Sequence, residues 1–95
     1  MMLYAAAYGD LKLMKCLNIR GFNINGYDYD GRTALKVSCS NGHLDIVKYL
    51  ITHGADINLT DARGNDALAD AIRENRKDVI EYLKKIKDMS PSSDI

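Results

Sequence analysis

Tryptophan is absent from this 95-residue chain, and proline and phenylalanine occur once each. The two cysteines, Cys16 and Cys39, are too few for a disulfide framework. They point to a reducing compartment, where a thiol serves as a small apolar side chain. A charge surplus is also missing, because 13 basic residues meet 13 acidic ones. That balance argues against nucleic acid as the main partner. No apolar run approaches the roughly 18 to 20 residues of a membrane-spanning helix, so membrane insertion is not expected. The first residues carry no basic stretch ahead of an apolar core, which argues against a signal peptide. The lone Pro91 stands in "MSPSSDI", a polar, serine-rich stretch read as a disordered tail over 88–95.

What is present is a repeat. Shifting the chain by 33 positions pairs Asp28 with Asp61, Gly31 with Gly64, Leu35 with Leu68, Tyr49 with Tyr82 and Leu50 with Leu83. In the other direction it pairs Gly42 with Gly9, Lys48 with Lys15 and Asn58 with Asn25. A unit this short cannot bury its own apolar side, so neighbours must stack. The best-preserved unit reads "DYDGRTALKVSCSNGHLDIVKYLITHGADIN". Thr33 is placed to cap a short helix from Ala34 to about Ser40, and Asn41-Gly42 ends it. A second helix runs from Leu44 to about Thr52, with Leu44, Ile46, Val47, Leu50 and Ile51 on its apolar face. Gly54 closes that helix, and an extended turn leads to the next unit.

The segments "DGRTAL", "NGHLDIVKYLI" and "HGADIN" closely resemble the ankyrin repeat, from Met2 to about Ile86. The resemblance implies an all-α ankyrin solenoid of about three repeats, each a helix-turn-helix unit with a projecting β-turn hairpin. Residues 2–27 form a partial first repeat, 28–60 a second and 61–87 a capping third. Three departures from the pattern are visible. Lys36 stands where the family places histidine, Ala34 and Ala67 where proline is common, and Asn75-Arg76 where Gly-His is usual. These departures are expected to weaken the idealised hydrogen bonding and lower stability.

The first unit lacks its hairpin and capping threonine, and "MMLYAAAYG" carries no charge before Asp10. Such an end suits a piece of a longer chain, with Leu3, Tyr4 and Tyr8 meeting something upstream or another copy. A closer likeness lies in "LYAAAYGDLKLMKCL", "INGYDYDGRTAL" and "GNDALADAI" followed by "DVIEYL". Together they are similar to the short ankyrin array at the C-terminus of animal-type glutaminases. Related tails occur on some asparaginases and plant-type potassium channels. The likeness implies that a catalytic serine and lysine lie in an upstream domain, so the parent would be a glutaminase. This chain itself would be a regulatory or architectural module without catalytic residues. The location would be intracellular: mitochondrial for a glutaminase, cytoplasmic otherwise. The alternative is an ankyrin adaptor, free-standing or trimmed from a longer array.

Other chemistry finds little support in the sequence. Cys39 takes a position that ankyrin units fill with a buried alanine, and Cys16 shares register with Tyr49, so packing accounts for both. His43 and His53 stand at opposite ends of one helix, which is poor metal geometry, and no metal or cofactor is expected. Asp28 and Asp61 share register as turn residues that bond backbone amides. Protein binding or self-association remains. The resemblance puts partners on the concave face of hairpin tips and first helices. Tyr8, Tyr29, Asp30, Arg32, Ser40, Asn41, Arg63, Asn65, Arg73 and Glu74 are the candidates there, with Leu3 and Tyr4 for domain or self-contact. Tyr27 is expected to pack locally.

Overall fold

Three short helix starts are fixed by side-chain oxygens that accept from the third backbone amide beyond them. Asp10 accepts from Leu13 N at 3.0 Å, Thr33 from Lys36 N at 3.3 Å and Asp66 from Ala69 N at 2.9 Å. In the computed structural model, which describes residues 2–88, they open α2 (Leu11–Ile19), α3 (Ala34–Asn41) and α5 (Ala67–Arg73). The other helices are α1 (Met2–Tyr8), α4 (Leu44–Thr52) and α6 (Lys77–Asp88). Asp88 thus ends α6, and the rest of the expected tail lies outside the described residues. No strand forms among the described residues; the hairpin of the middle unit holds a single antiparallel bridge between Tyr27 and Thr33.

The helices pair as α1/α2, α3/α4 and α5/α6, and the pairs stack in order to give the ankyrin solenoid. Each pair turns on a residue in the left-handed region. Gly42 has φ 76° and its amide bonds the end of α3. Asn75, one period later, takes the same conformation at φ 58°, a tolerated choice because a short polar side chain suits that region. Met14, Leu17, Leu35, Ile46, Val47, Leu50, Val79 and Leu83 form one continuous core through all three pairs. The shared core is what stabilises units that are too thin to fold alone.

Polar bonds repeat between pairs with the same period. His43 Nε2 meets the Ala7 carbonyl at 3.1 Å, so that nitrogen carries the proton. Arg76 Nε donates to the Ser40 carbonyl at 2.9 Å, the equivalent place one unit on. The expected loss of bonding at Asn75-Arg76 is therefore not found, because a guanidinium reaches the same oxygen that an imidazole reaches. Hairpin meets hairpin as well, Ala62 N donating to Asp30 O at 3.0 Å. Cys39 is fully buried as expected, and burial pushes its thiol up to about 12. Cys16 is exposed, contrary to the packing expectation, because no helix pair covers its side of α2 among the described residues.

A candidate protein-contact groove

The hairpins are held open by one aspartate each. Asp28 Oδ1 accepts from the amides of Asp30 and Arg32, both at 3.0 Å. Asp61 Oδ1 does the same for Arg63 at 2.9 Å and Asn65 at 3.0 Å. These amides, that of Arg32 first, hold the Asp28 carboxyl below the usual carboxylate range. The Asn65 amide, with Lys36 next, draws Asp61 down to about 2.

The second oxygens of the two aspartates part company. Asp28 Oδ2 binds the arginine of its own hairpin, Arg32, at 2.9 Å to Nε and 2.8 Å to Nη2. Asp61 Oδ2 binds Lys36 Nζ of the preceding unit at 3.0 Å. Lys36 is 1% exposed. Its ammonium also reaches Asp70 Oδ2 at 2.9 Å and the Asn65 carbonyl at 2.6 Å, so all three donors are used. Asp70, itself buried, takes Arg73 Nη1 on its other oxygen at 3.0 Å. Far from weakening the bonding, Lys36 ties the second unit to the third. The flexible stem lets an ammonium go where a ring would stop.

This ion cluster floors a hollow of about 160 Å³ whose walls are Arg32, Val37, Ser40, Asn41 and Arg73. It opens towards the hairpin tips into a second hollow of about 250 Å³, lined by Asp30, Arg32, Asp61, Ala62, Arg63 and Arg73. These positions come from four separate segments: the two tips and the two first helices behind them. Of the expected contact residues, Asp30, Arg32, Ser40, Asn41, Arg63 and Arg73 gather here. Glu74 stands beside them and binds Arg73 Nε at 3.3 Å. Asn65 lines neither hollow; its backbone is spent on Asp61 and Lys36.

The tyrosines fall elsewhere. Tyr29 is fully exposed, and together with Tyr27 it lines a separate cleft of about 330 Å³ that also takes Leu59, Thr60 and Ala62. The split follows the tip's backbone. Tyr29 and Asp30 are the central residues of a turn that Gly31 N closes on Asp28 O at 3.0 Å, and Asp30 lines the groove while Tyr29 lines the other cleft. Tyr27 is 75% exposed and does not pack locally; only its backbone pairs, with Thr33. Tyr8 is absent from both hollows and sits against Tyr4, ring centroids 4.7 Å apart. Leu3 is half-buried and Tyr4 is 56% exposed.

Sequence reasoning missed the floor. In the sequence Lys36 is only a departure from the repeat pattern, yet a lysine among apolar residues, followed one unit later by aspartates, is a signal of a buried pair. Chemically the groove offers guanidinium donors and two exposed carboxylates, Asp30 and Glu74, each beside an arginine, above the buried ion cluster. No group of three or more His, Cys, Asp or Glu residues could hold a metal among the described residues. Nor does any described helix have the length and apolarity to cross a membrane.

Comparison with known proteins bears on the array of stacked helix pairs. An L-asparaginase of Dirofilaria immitis is 45% identical over 40 residues, which cover 42% of this chain and 7% of the enzyme. Ankyrin repeats in three copies match residues 2–93. Such an array is a protein-interaction module, its shape set by stacked helix pairs. On that match, and on the stacked helix pairs that the structure shows, this chain belongs to the ankyrin-repeat family.

Proposed function

We propose that the groove is the partner-binding site, and that the module serves an amidohydrolase of the glutaminase or asparaginase kind. The observation that carries the first part is the convergence of Arg32, Arg63 and Arg73 on one hollow beside Asp30. Asp28, Asp61 and Asp70 spend their oxygens on amides, Lys36, Arg32 and Arg73, so they hold the Arg32 and Arg73 guanidinium groups rather than compete with a ligand. Arginine at such a place is a residue type that dominates interface energies. The face spans few units and is small, so affinity would be modest unless the parent presents several copies. The short likeness to the asparaginase supports the second part, as do the "AAAYGD" and "YDYDGRTAL" segments. The amidohydrolase would lie outside this chain, and a mitochondrial or cytoplasmic location would follow from which parent it is. Boundaries at 27/28 and 60/61 divide the array into its repeats under this reading.

An antibody against this chain tests the enzyme part. It should precipitate a protein several times larger than 10.6 kDa that releases ammonia from glutamine or asparagine. A precipitate without either property refutes it. With the parent's partner in hand, Arg32→Ala combined with Arg73→Ala should weaken binding at least tenfold while the helical signal stays. Unchanged binding would move the site off the groove.

A further inference from the structure

Every helix pair in this array has a front side towards the next unit and a rear side towards the one before, and the bonds between units assign positions to each. Lys36 reaches forward to Asp70, Asn18 Nδ2 donates forward to Tyr49 Oη at 3.0 Å, and Lys48 lies 5.5 Å above the Tyr82 ring. His43 and Arg76 reach backward to carbonyls. Rear positions are therefore those of Asp70, of Tyr49 and Tyr82, and of His43 and Arg76. Counted back by the repeat of 33 (once for Tyr49 and His43, twice for Asp70), they fall in the first unit on Tyr4, Cys16 and Asp10. Ile46 and Val79, both wholly buried, have half-buried Leu13 as their counterpart. Tyr4, Cys16 and Asp10 are all exposed.

We propose that this rear face of the first unit is a docking surface for one further helix pair of the ankyrin kind, lying outside this chain. The same positions are covered twice within the chain, each time by the front of such a pair, so spacing and shape are already set. The occupant presents an apolar centre over Tyr4, Leu13 and Cys16. At the edge it presents a hydrogen-bond donor. His43 and Arg76 donate to a carbonyl, whereas Asp10 can only accept, and its Oδ1 is already taken by Leu13 N. A second copy stacked head to tail fits less well. On the front of its third unit Lys84 stands where the second unit has Ile51 and the first has Asn18, so a lysine would meet the apolar Cys16 region. This surface is separate from the groove, and its failure would leave the groove reading untouched.

The thiol of Cys16 reports on the face directly, and buried Cys39 serves as an internal control. In the purified chain Cys16 should react freely with iodoacetamide while Cys39 does not. Residues 2–34 repeated ahead of Met2, with Cys16→Ser in the added copy, supply a helix pair in register. The original Cys16 should then react at least tenfold more slowly. The native protein in extracts of its own cells should show the same shielding at Cys16. Equal reactivity in the extract and in the purified chain overturns the proposal, whether or not the tandem folds. Shielding of the purified chain that grows with its concentration also overturns it, since the occupant would then be a second copy.

Discussion

Replacing Lys36 by methionine keeps most of the side chain's length and apolar volume and removes only the ammonium. Three acceptors then lose a donor: Asp61 Oδ2, Asp70 Oδ2 and the Asn65 carbonyl. Removing one partner of a buried ion pair costs about 3–5 kcal/mol, because the other charge is left in a dry place. Two features put this case at the lower end. Asp70 keeps Arg73 on its other oxygen, and Asp61 keeps the amides of Arg63 and Asn65. A loss of about 3 kcal/mol follows, against a total of about 5–14 kcal/mol for a domain of this size. At roughly 4–8 °C per kcal/mol, the midpoint should fall by at least 12 °C. Because Lys36 joins the second unit to the third, the urea transition should also broaden as α5 and α6 release first. Circular dichroism during heating and urea titration measures both effects. Adding Asp70→Leu to Lys36→Met should recover part of the loss, since an apolar pair can replace a buried ionic one. The double-mutant cycle should show a coupling above about 1 kcal/mol. A Lys36→Met loss below 1 kcal/mol, or simple additivity, would refute the buried-bridge account.

Further predictions concern the turns, caps and acid limb. Gly42→Ala should destabilise by about 1–2 kcal/mol, because a side chain is disfavoured at φ 76°. Its Cβ would also lie 3.0 Å from Arg76 Cδ; a urea midpoint unchanged from the parent would count against this. Asp66→Ala should cost about 1 kcal/mol through loss of the α5 cap, while Asp66→Asn should cost much less. Stability should be fully present above the ordinary carboxylate range and should fall as pH drops through the folded value of about 2 at Asp61. Asp61→Asn should flatten that limb between pH 4 and 2 in acid unfolding curves, and an unaltered limb would argue against it.

The periodicity in the sequence was sufficient for the array. Thr33, Ala34, Asn41-Gly42 and the Leu44–Thr52 apolar face carry local signals, and the helices begin and end where those signals fall. The groove was partly legible, because register alone brings Arg32 and Arg63 to equivalent tips and Ser40 and Arg73 to equivalent helix ends. Tyr29 lines a different cleft for a physical reason: residue spacing names the tip, whereas the side on which each tip residue lands depends on the backbone turn from Asp28 to Gly31. Lys36 was misjudged because a pattern compares residue types one position at a time. Its partners lie 25 and 34 residues away, at Asp61 and Asp70, and only packing shows that a long cationic chain can reach both. Arg76 shows the same limit, since imidazole and guanidinium differ in type yet meet one carbonyl position.

The polar bonds that join the units share one property of scale. Lys36 to Asp61 spans 25 residues, and His43 to Ala7 and Arg76 to Ser40 span 36 each. Nothing of this kind ties the first unit to the third among the described residues. Contacts so short in sequence close small loops, whose entropy cost is low, and such chains fold fast for their stability. Among the described residues only the middle pair, α3 and α4, has a neighbour on both sides. Folding should therefore start there and spread outward, and a pull on the two ends should peel α6 and α1 away while the centre still holds.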